Sequence, residues 1–338
     1  MKPLVVTLLA LPISVLLTWV VRRLALAHGF VDHPNERSSH VKPTPHGGGA
    51  SIVAVVTTTL AVLAALGKIS LVDFGVLAGG GLAVALVGLF DDWRHLSTHV
   101  RLAVHFAAAS WAMLCLDGLP PIRCGDLLIS FGWAGFPLGV MGIVWSLNLF
   151  NFMDGIDGIA ASEAAFVAIS GVLVLAAGNL DAGIPLVGLA LGAACCGFLV
   201  LNWPPAKIFL GDAGSGYLGY SLACLSIITA RENPIALFVF VILGAVFVID
   251  ATVTFVRRIA RHERYDVGHR THGYQRLARR WGSHRSVTSA VLVTNLVFLL
   301  PAAAWAVSRP SWAAYIAGGV LLLLLVTALI VGSGRRGD

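Results

Sequence analysis

Apolar stretches of about twenty residues recur along this 338-residue chain, separated by short polar segments. A helix of ~20 predominantly apolar residues crosses a bilayer core. Windows of that kind fall at 3–21, 48–67, 71–90, 100–117, 131–150, 159–178, 183–201, 216–230, 235–256, 287–307 and 311–332. The pattern predicts an all-α integral membrane protein of about eleven transmembrane helices, with the window at 216–230 the shortest. No polar stretch is long enough for a separate soluble domain, so residues 1–338 are read as a single multi-pass unit. The first window follows Met1-Lys2 and runs directly into Arg22-Arg23. Ala25-Leu26-Ala27 has the form of a signal-peptidase site, but the apolar run exceeds an ordinary signal core, which fits a retained first helix.

Composition agrees with the pattern: 57% of residues are hydrophobic, 12% are charged, and the mean hydropathy is +0.86. Soluble domains carry roughly a quarter charged residues. An odd number of spans puts the termini on opposite sides, and the basic residues choose which. With the N-terminus periplasmic and the C-terminus cytoplasmic, 18 of the 23 Lys and Arg lie inside, leaving Lys2, Lys68, Arg123, Arg231 and Arg309 outside. The positive-inside bias selects that orientation in a bacterial inner membrane. Cytoplasmic loops then span 22–48, 91–100, 148–158, 202–216 and 257–286. The net charge of +6 reflects this bias and an anion site rather than nucleic-acid binding. The five cysteines show no metal spacing and read as packing residues; a Cys115–Cys124 pair outside the cytoplasm is the one alternative.

Those five loops hold most of the polar chemistry. The first carries Asp32, Arg37, His40, His46 and Gly47-Gly48-Gly49, and the second carries Asp91-Asp92 at the end of an apolar run. Asn148, Asn151, Asp154 and Asp157 form the third group, and Asn202, Lys207, Gly211-Asp212 and Ser215 the fourth. The fifth is basic and contains Asp266, His269 and His272. Five clusters on one face argue for one composite site. An acidic pair at a membrane interface is costly and usually functional, although one aspartate of Asp91-Asp92 would also serve to mark a helix end. Residues at a three-residue step neighbour each other on a helix, but Gly155 and Gly158 favour a break. Gly211 to Ser215 opens an apolar helix whose first N–H groups suit phosphate, and Asp212 there suits a magnesium ion shared with a diphosphate. No GxxxxGK[ST] loop occurs. His269 and His272 would share a helical face and donate to a diphosphate; a zinc reading lacks a third ligand.

These residues resemble the polyprenyl-phosphate N-acetylhexosamine-1-phosphate transferases, glycosyltransferase family 4. The resemblance rests on DHPNERSSHVKPTPHGGG, FDDW, NLFNFMDGIDGIA, NWPPAKIFLGDAGSGYLG and HRTH, from about Asp32 to His272. It implies a Mg²⁺-dependent reaction, with Mn²⁺ as a substitute, in which a UDP-HexNAc and undecaprenyl phosphate give UMP and the lipid-linked sugar. Carried over by position, Asp91 and Asp92 are the catalytic pair, with Asp91 at the lipid phosphate. Asp212 and Asp154 are the metal ligands. Arg37, His40, Asn148, Asn151, Asp154, Asp157, Lys207, His269 and His272 are the substrate-binding set. Asp250 and Arg257-Arg258 match the family's ninth-helix pattern.

Ser38, Val267 and Thr271 depart from that pattern at positions where lysine, arginine and histidine are common. With Gly273-Tyr274-Gln275, they make the chain more similar to the branch that initiates O-antigen and related glycans. GlcNAc or a 6-deoxy relative such as FucNAc or QuiNAc is then the expected sugar, and a phospho-MurNAc-pentapeptide transferase the alternative. A homodimer is compatible with the family. An ion-coupled transporter would want carboxylates near mid-bilayer and an inverted repeat, neither of which is found, and a non-catalytic scaffold would not need these spacings.

Overall fold

The computed structural model describes residues 2–32, 43–94, 96–176, 180–263 and 269–335. Arg37, His40, Ser38, Asp266 and Val267 lie outside the described residues. The helices are α1 (Lys2–Ala27), α2 (Gly49–Ala65), α3 (Leu71–Arg94), α4 (Thr98–Cys115), α5 (Gly135–Met153), α6 (Ile159–Ala176) and α7 (Gly183–Asn202). They continue as α8 (Gly211–Glu232), α9 (Ala236–Leu243), α10 (Ala245–Ala260), α11 (Gly273–Trp281), α12 (His284–Ser308) and α13 (Ala313–Val331). Two short antiparallel ribbons accompany them. One pairs β1 (Val31–Asp32) with β2 (Thr44–Pro45), and the other pairs β3 (Ile122–Cys124) with β4 (Leu127–Ile129).

All eleven apolar windows fall on helices, yet among the described residues only seven helices are long and apolar enough to cross a membrane, or eight counting α9 and α10 together. The helix α2 has 17 residues. Both α4 and α8 are long enough but carry polar residues, including Arg101 and His105 in the first half of α4 and Asp212 and Arg231 at the two ends of α8. Packing accounts for α8. Its side chains are buried along nearly the whole length against α3, α5, α2, α7 and α9, so little of it needs to be miscible with lipid. By contrast, α1, α12 and α13 leave most of their apolar surface exposed, as a lipid-facing helix does. The window at 235–256 is not one rod: Gly244 separates α9 from α10, and the two axes differ by 73°.

Glycines set the closest helix contacts. At Gly80 and Gly81 on α3, an added Cβ would lie 1.9 Å from the Tyr220 hydroxyl and 2.8 Å from the Tyr217 ring. The Tyr220 hydroxyl donates to the Val76 carbonyl at 2.9 Å, within a π-helical turn of α3. A second π-helical turn, in α12, begins at Asn295, whose amide donates to the buried Glu163 of α6 at 2.5 Å. All five cysteines are free, consistent with packing.

Candidate active site

The site forms where α3, α5 and α7 end and α4, α8 and α12 begin, so the chain must bring six helix termini together at one side of the bundle. Backbone contact between α3 and α8 fixes its centre. A Cβ at Gly88 would stand 2.6 Å from Ala213 N and from the Asp212 carbonyl carbon and oxygen. Gly211 adopts φ +78°, and a Cβ there would stand 2.7 Å from Asp92 Oδ2. The β2 loop is stitched to the approach of α8: Phe209 N donates to Pro45 O at 2.8 Å, and Gly49 N to Leu210 O at 2.8 Å.

This contact gives Asp91 and Asp92 different duties. Asp92 accepts from Asp212 N at 3.0 Å and from Ala213 N at 3.4 Å. It therefore caps α8 from another helix, satisfying N–H groups that have no partner inside α8. Asp91, buried, accepts from Leu96 N at 2.7 Å and pairs with Arg101. Arg101 also reaches Asp212 Oδ2 at 3.2 Å, so one guanidinium holds two carboxylates. On the far side, Asn151 Nδ2 donates to Asp212 Oδ1 at 2.7 Å and reaches Ser215 Oγ at 3.3 Å.

The run Asn148, Asn151, Asp154, Asp157 does not stay on one helix. Helix α5 ends at Met153, and Asp154 sits just beyond it at φ −90° and ψ 46°, because the glycine-rich stretch at 155 and 158 breaks the helix as its composition suggests. Gly155 permits a close approach that no other residue could: a Cβ would lie 2.2 Å from the Tyr274 hydroxyl. That hydroxyl donates to Phe152 O at 3.0 Å. Asp157 accepts from Ala206 N at 3.0 Å and lies 3.4 Å from His284 Nδ1. Asn202 fixes the adjoining turn, accepting from Gly158 N at 3.1 Å and donating to Ile208 O at 2.9 Å. Burial, then the charges of Asp212, Asp92 and Asp157, hold the Asp154 carboxyl well above the usual carboxylate range.

Two cavities meet here. The first, of about 670 Å³, is polar and lined by Asp32, Asp91, Asp92, Asp154, Asp157 and Asp212, with His46 and His284; no lysine or arginine lines it among the described residues. The second, of about 550 Å³, is mostly apolar, with Phe106, Met141, Val144, Trp145, Leu147 and Phe255 on its walls. Arg101, Asn148, Asn151, His269 and His272 stand among those walls. Gly155, Asp212 and Gln275 line both, so Asp212 stands at the junction.

The histidine expectation needs correcting. His269 precedes α11 and His272 is its N-cap, with extended φ −62° and ψ 150°. They share no helical face, because Asp250 accepts from Gly273 N at 2.7 Å and Tyr274 N at 3.0 Å and so starts α11 only after them. Their rings stack at 5.0 Å instead. Burial pushes both rings toward the neutral form, His269 to about 3, with His272 and Arg258 adding to that shift. Asn148 donates to Val144 O at 2.7 Å within α5 and faces only the apolar cavity. Lys207 is exposed and lines neither cavity; its carbonyl accepts from Arg22 Nε at 3.1 Å. Arg101, Gln275 and His284 were missed as site residues. Each opens or precedes a helix without a motif, and only an arginine in the first turn of an otherwise apolar segment could have signalled Arg101.

Residues 74–230 match the family described as Glycosyl transferase family 4. The chain is 29% identical over 294 residues to a probable undecaprenyl-phosphate N-acetylglucosaminyl 1-phosphate transferase of Bacillus subtilis, covering 85% of this chain and 80% of that one. It is 29% identical over 362 residues to the decaprenyl-phosphate N-acetylglucosaminephosphotransferase of Mycolicibacterium smegmatis, covering 96% and 87%. To the phospho-N-acetylmuramoyl-pentapeptide-transferase of Neisseria gonorrhoeae it is 30% identical over 269 residues, covering 69% and 72%.

Proposed function

Because the chain belongs to the polyprenyl-phosphate N-acetylhexosamine-1-phosphate transferase family, we propose that it transfers a HexNAc-1-phosphate from a UDP-sugar to undecaprenyl phosphate, releasing UMP. The sugar in this reading is GlcNAc or a 6-deoxy relative, and the product initiates O-antigen or a related glycan. The observation that carries the proposal is the meeting of a carboxylate-lined polar cavity with an apolar cavity at Asp212. A nucleotide sugar matches the first and a prenyl chain the second, so the two phosphates meet at their junction. The positive-inside bias supports a cytoplasmic face for this junction in an inner membrane, the side on which UDP-sugars are found.

Six aspartates, with no lysine or arginine lining the cavity among the described residues, would repel a diphosphate; burial first, and then the charges of Asp212, Asp92 and Asp157, raise the Asp154 carboxyl. That donor set fits Mg²⁺, which takes one or two carboxylates and completes its shell with water and phosphate oxygens. No group of three His, Cys, Asp or Glu among the described residues is placed to hold a metal by itself, so in this reading the ion completes its shell with substrate phosphate and water. Asp212 and Asp154 would hold it. When bound, the ion offsets the charge that develops on the phosphates.

In the reaction, an oxygen of the lipid phosphate attacks the sugar-bearing β-phosphorus in line. The new P–O bond forms as the bond to the α-phosphate oxygen breaks, and UMP leaves with that oxygen. A lipid phosphate is ionised at neutral pH, so little proton remains for a base to remove. Asp91, already committed to Arg101 and Leu96 N, acts in this reading by positioning Arg101 at the junction. Asp92 acts by fixing the start of α8, and hence Asp212.

The test is a membrane assay of several UDP-sugars with undecaprenyl phosphate, with and without Mg²⁺, against Asp212→Asn. Metal-dependent UMP release that requires lipid is expected with at least one UDP-HexNAc. Activity only with UDP-MurNAc-pentapeptide would move the chain to the peptidoglycan reaction, and stoichiometric UMP release without lipid would overturn direct attack. No transfer in any combination would sink the proposal.

A further inference from the structure

Helix α13 ends beside the histidine loop. Gly332 takes a left-handed φ of +89°, and Gly332 N and Ser333 N both donate to Ala328 O at 2.9 Å, closing the helix as a glycine at that position commonly does. The chain then turns onto α10. Ser333 O accepts from Arg257 Nη1 at 2.6 Å, Gly334 O accepts from Arg261, and Gly334 N donates to Thr271 O at 2.7 Å.

The seating is close enough to require small residues on both sides. Ser333 is buried, and a Cβ at Gly273 would lie 2.4 Å from its Oγ. Gly334 has φ +73°, and a Cβ there would lie 2.9 Å from Thr254 Cα. A loosely attached tail would tolerate side chains at both places.

Thr271 is the link from this tail to the site. Its Oγ1 lies 2.9 Å and its N 3.4 Å from His269 Nδ1. A backbone N–H can only donate, so Nδ1 is the acceptor and the ring proton sits on Nε2. The ring stacks on His272, and both line the apolar cavity that contains Arg101 and Asp212. Arg257 and Arg261 line neither cavity.

We infer that Gly332–Arg335 is a strap that positions His269 for phosphosugar transfer by holding Thr271, with Arg257 and Arg261 as its clasps. The inference rests on the transferase reading of the site. Under it, the strap orients a neutral histidine as an Nε2–H donor toward the junction, and Thr271, Arg257 and Arg261 are positioning residues.

The experiment compares the intact chain with a chain ended after Gly332, with Arg257→Met, and with Thr271→Val and Thr271→Ser. Readouts are kcat and KM for both substrates, hydrogen exchange across 269–274, and the ¹⁵N shifts of the His269 ring. The shortened chain and Thr271→Val should lose kcat on the order of tenfold or more, with KM for the UDP-sugar within about twofold. The shortened chain should also exchange faster across the loop, and its ring should lose the single Nε2–H form. Thr271→Ser, which keeps the hydroxyl, should restore most of the rate. Should the shortened chain fail to fold, Arg257→Met leaves the tail in place and is expected to shift the same readouts in the same direction. A kcat within twofold of the intact chain in both the shortened form and Arg257→Met, or unaltered loop exchange in them, would overturn the strap. Exchange and ring shifts need no substrate, so an inactive intact chain would refute the transferase reading while leaving the strap to be decided by those two measurements.

Discussion

Gly88→Ala isolates the contact on which the site's geometry rests. The added Cβ would stand 2.6 Å from Ala213 N and from Asp212 C and O, where ordinary contact begins at 3.4 Å. The neighbours are backbone, with no flexible side-chain end to swing away, so α3 and α8 must separate by roughly 0.8 Å, the difference between those two distances. Overpacking of this kind costs about 1–3 kcal/mol, while alanine favours the helix over glycine by about 1 kcal/mol. Net stability should therefore fall by roughly 0–2 kcal/mol, and the protein should remain folded. Activity should fall much further. The displaced backbone carries Asp212 and the N–H groups that Asp92 accepts from, and a 1 Å misplacement at a reacting centre costs on the order of 10²-fold. Gly142→Ala is the control, because nothing lies within 4 Å of its Cβ. The assay is UMP release in membranes, alongside thermal unfolding of each purified variant in detergent. If Gly88→Ala retains more than half of the wild-type kcat, this contact does not position Asp212.

Other outcomes follow from the same geometry. Arg101→Met leaves the buried Asp91 without its cation and should lower stability by roughly 2 kcal/mol; because the guanidinium is partly exposed, Arg101→Lys should recover some of this in thermal unfolding. Asp92→Ala removes the acceptor for two N–H groups of α8 and should cost about 1 kcal/mol, whereas Asp92→Asn, with one acceptor left, should cost less than half as much. Asp154 binds a proton more tightly folded than unfolded. Its contribution to stability is therefore complete below the unfolded value of 3.8 and is lost as pH rises through the higher folded value. If Mg²⁺ is held by Asp154 as proposed, it must displace that proton, so its stabilising effect in thermal unfolding should grow with pH and shrink in Asp154→Asn; an effect independent of pH and of Asp154 would refute that ligand.

The periodic apolar windows by themselves determined the helices, because a segment that must cross lipid has to satisfy its backbone internally. They also placed the polar clusters at helix ends, and the two glycines after Asp154 already marked the end of α5. Hydropathy misjudged α8 in both length and setting. The helix starts five residues before its window and is shielded by neighbours, and burial by protein leaves a weaker apolar signature than exposure to lipid. Residue types named Asp91, Asp92, Asn151, Asp154, Asp157 and Asp212 as a set. The division of labour within that set belongs to tertiary structure, since the 120-residue separation between Asp92 and Asp212 is closed by the packing of α3 on α8, closest at Gly88. The same holds for Arg101, which joins Asp91 to Asp212 across 111 residues, and for the stacking of His269 on His272, set by Asp250 and the α13 tail. Local sequence encodes where a helix can form and end. Which ends meet depends on close packing between distant segments, and on that the chemistry of this site depends.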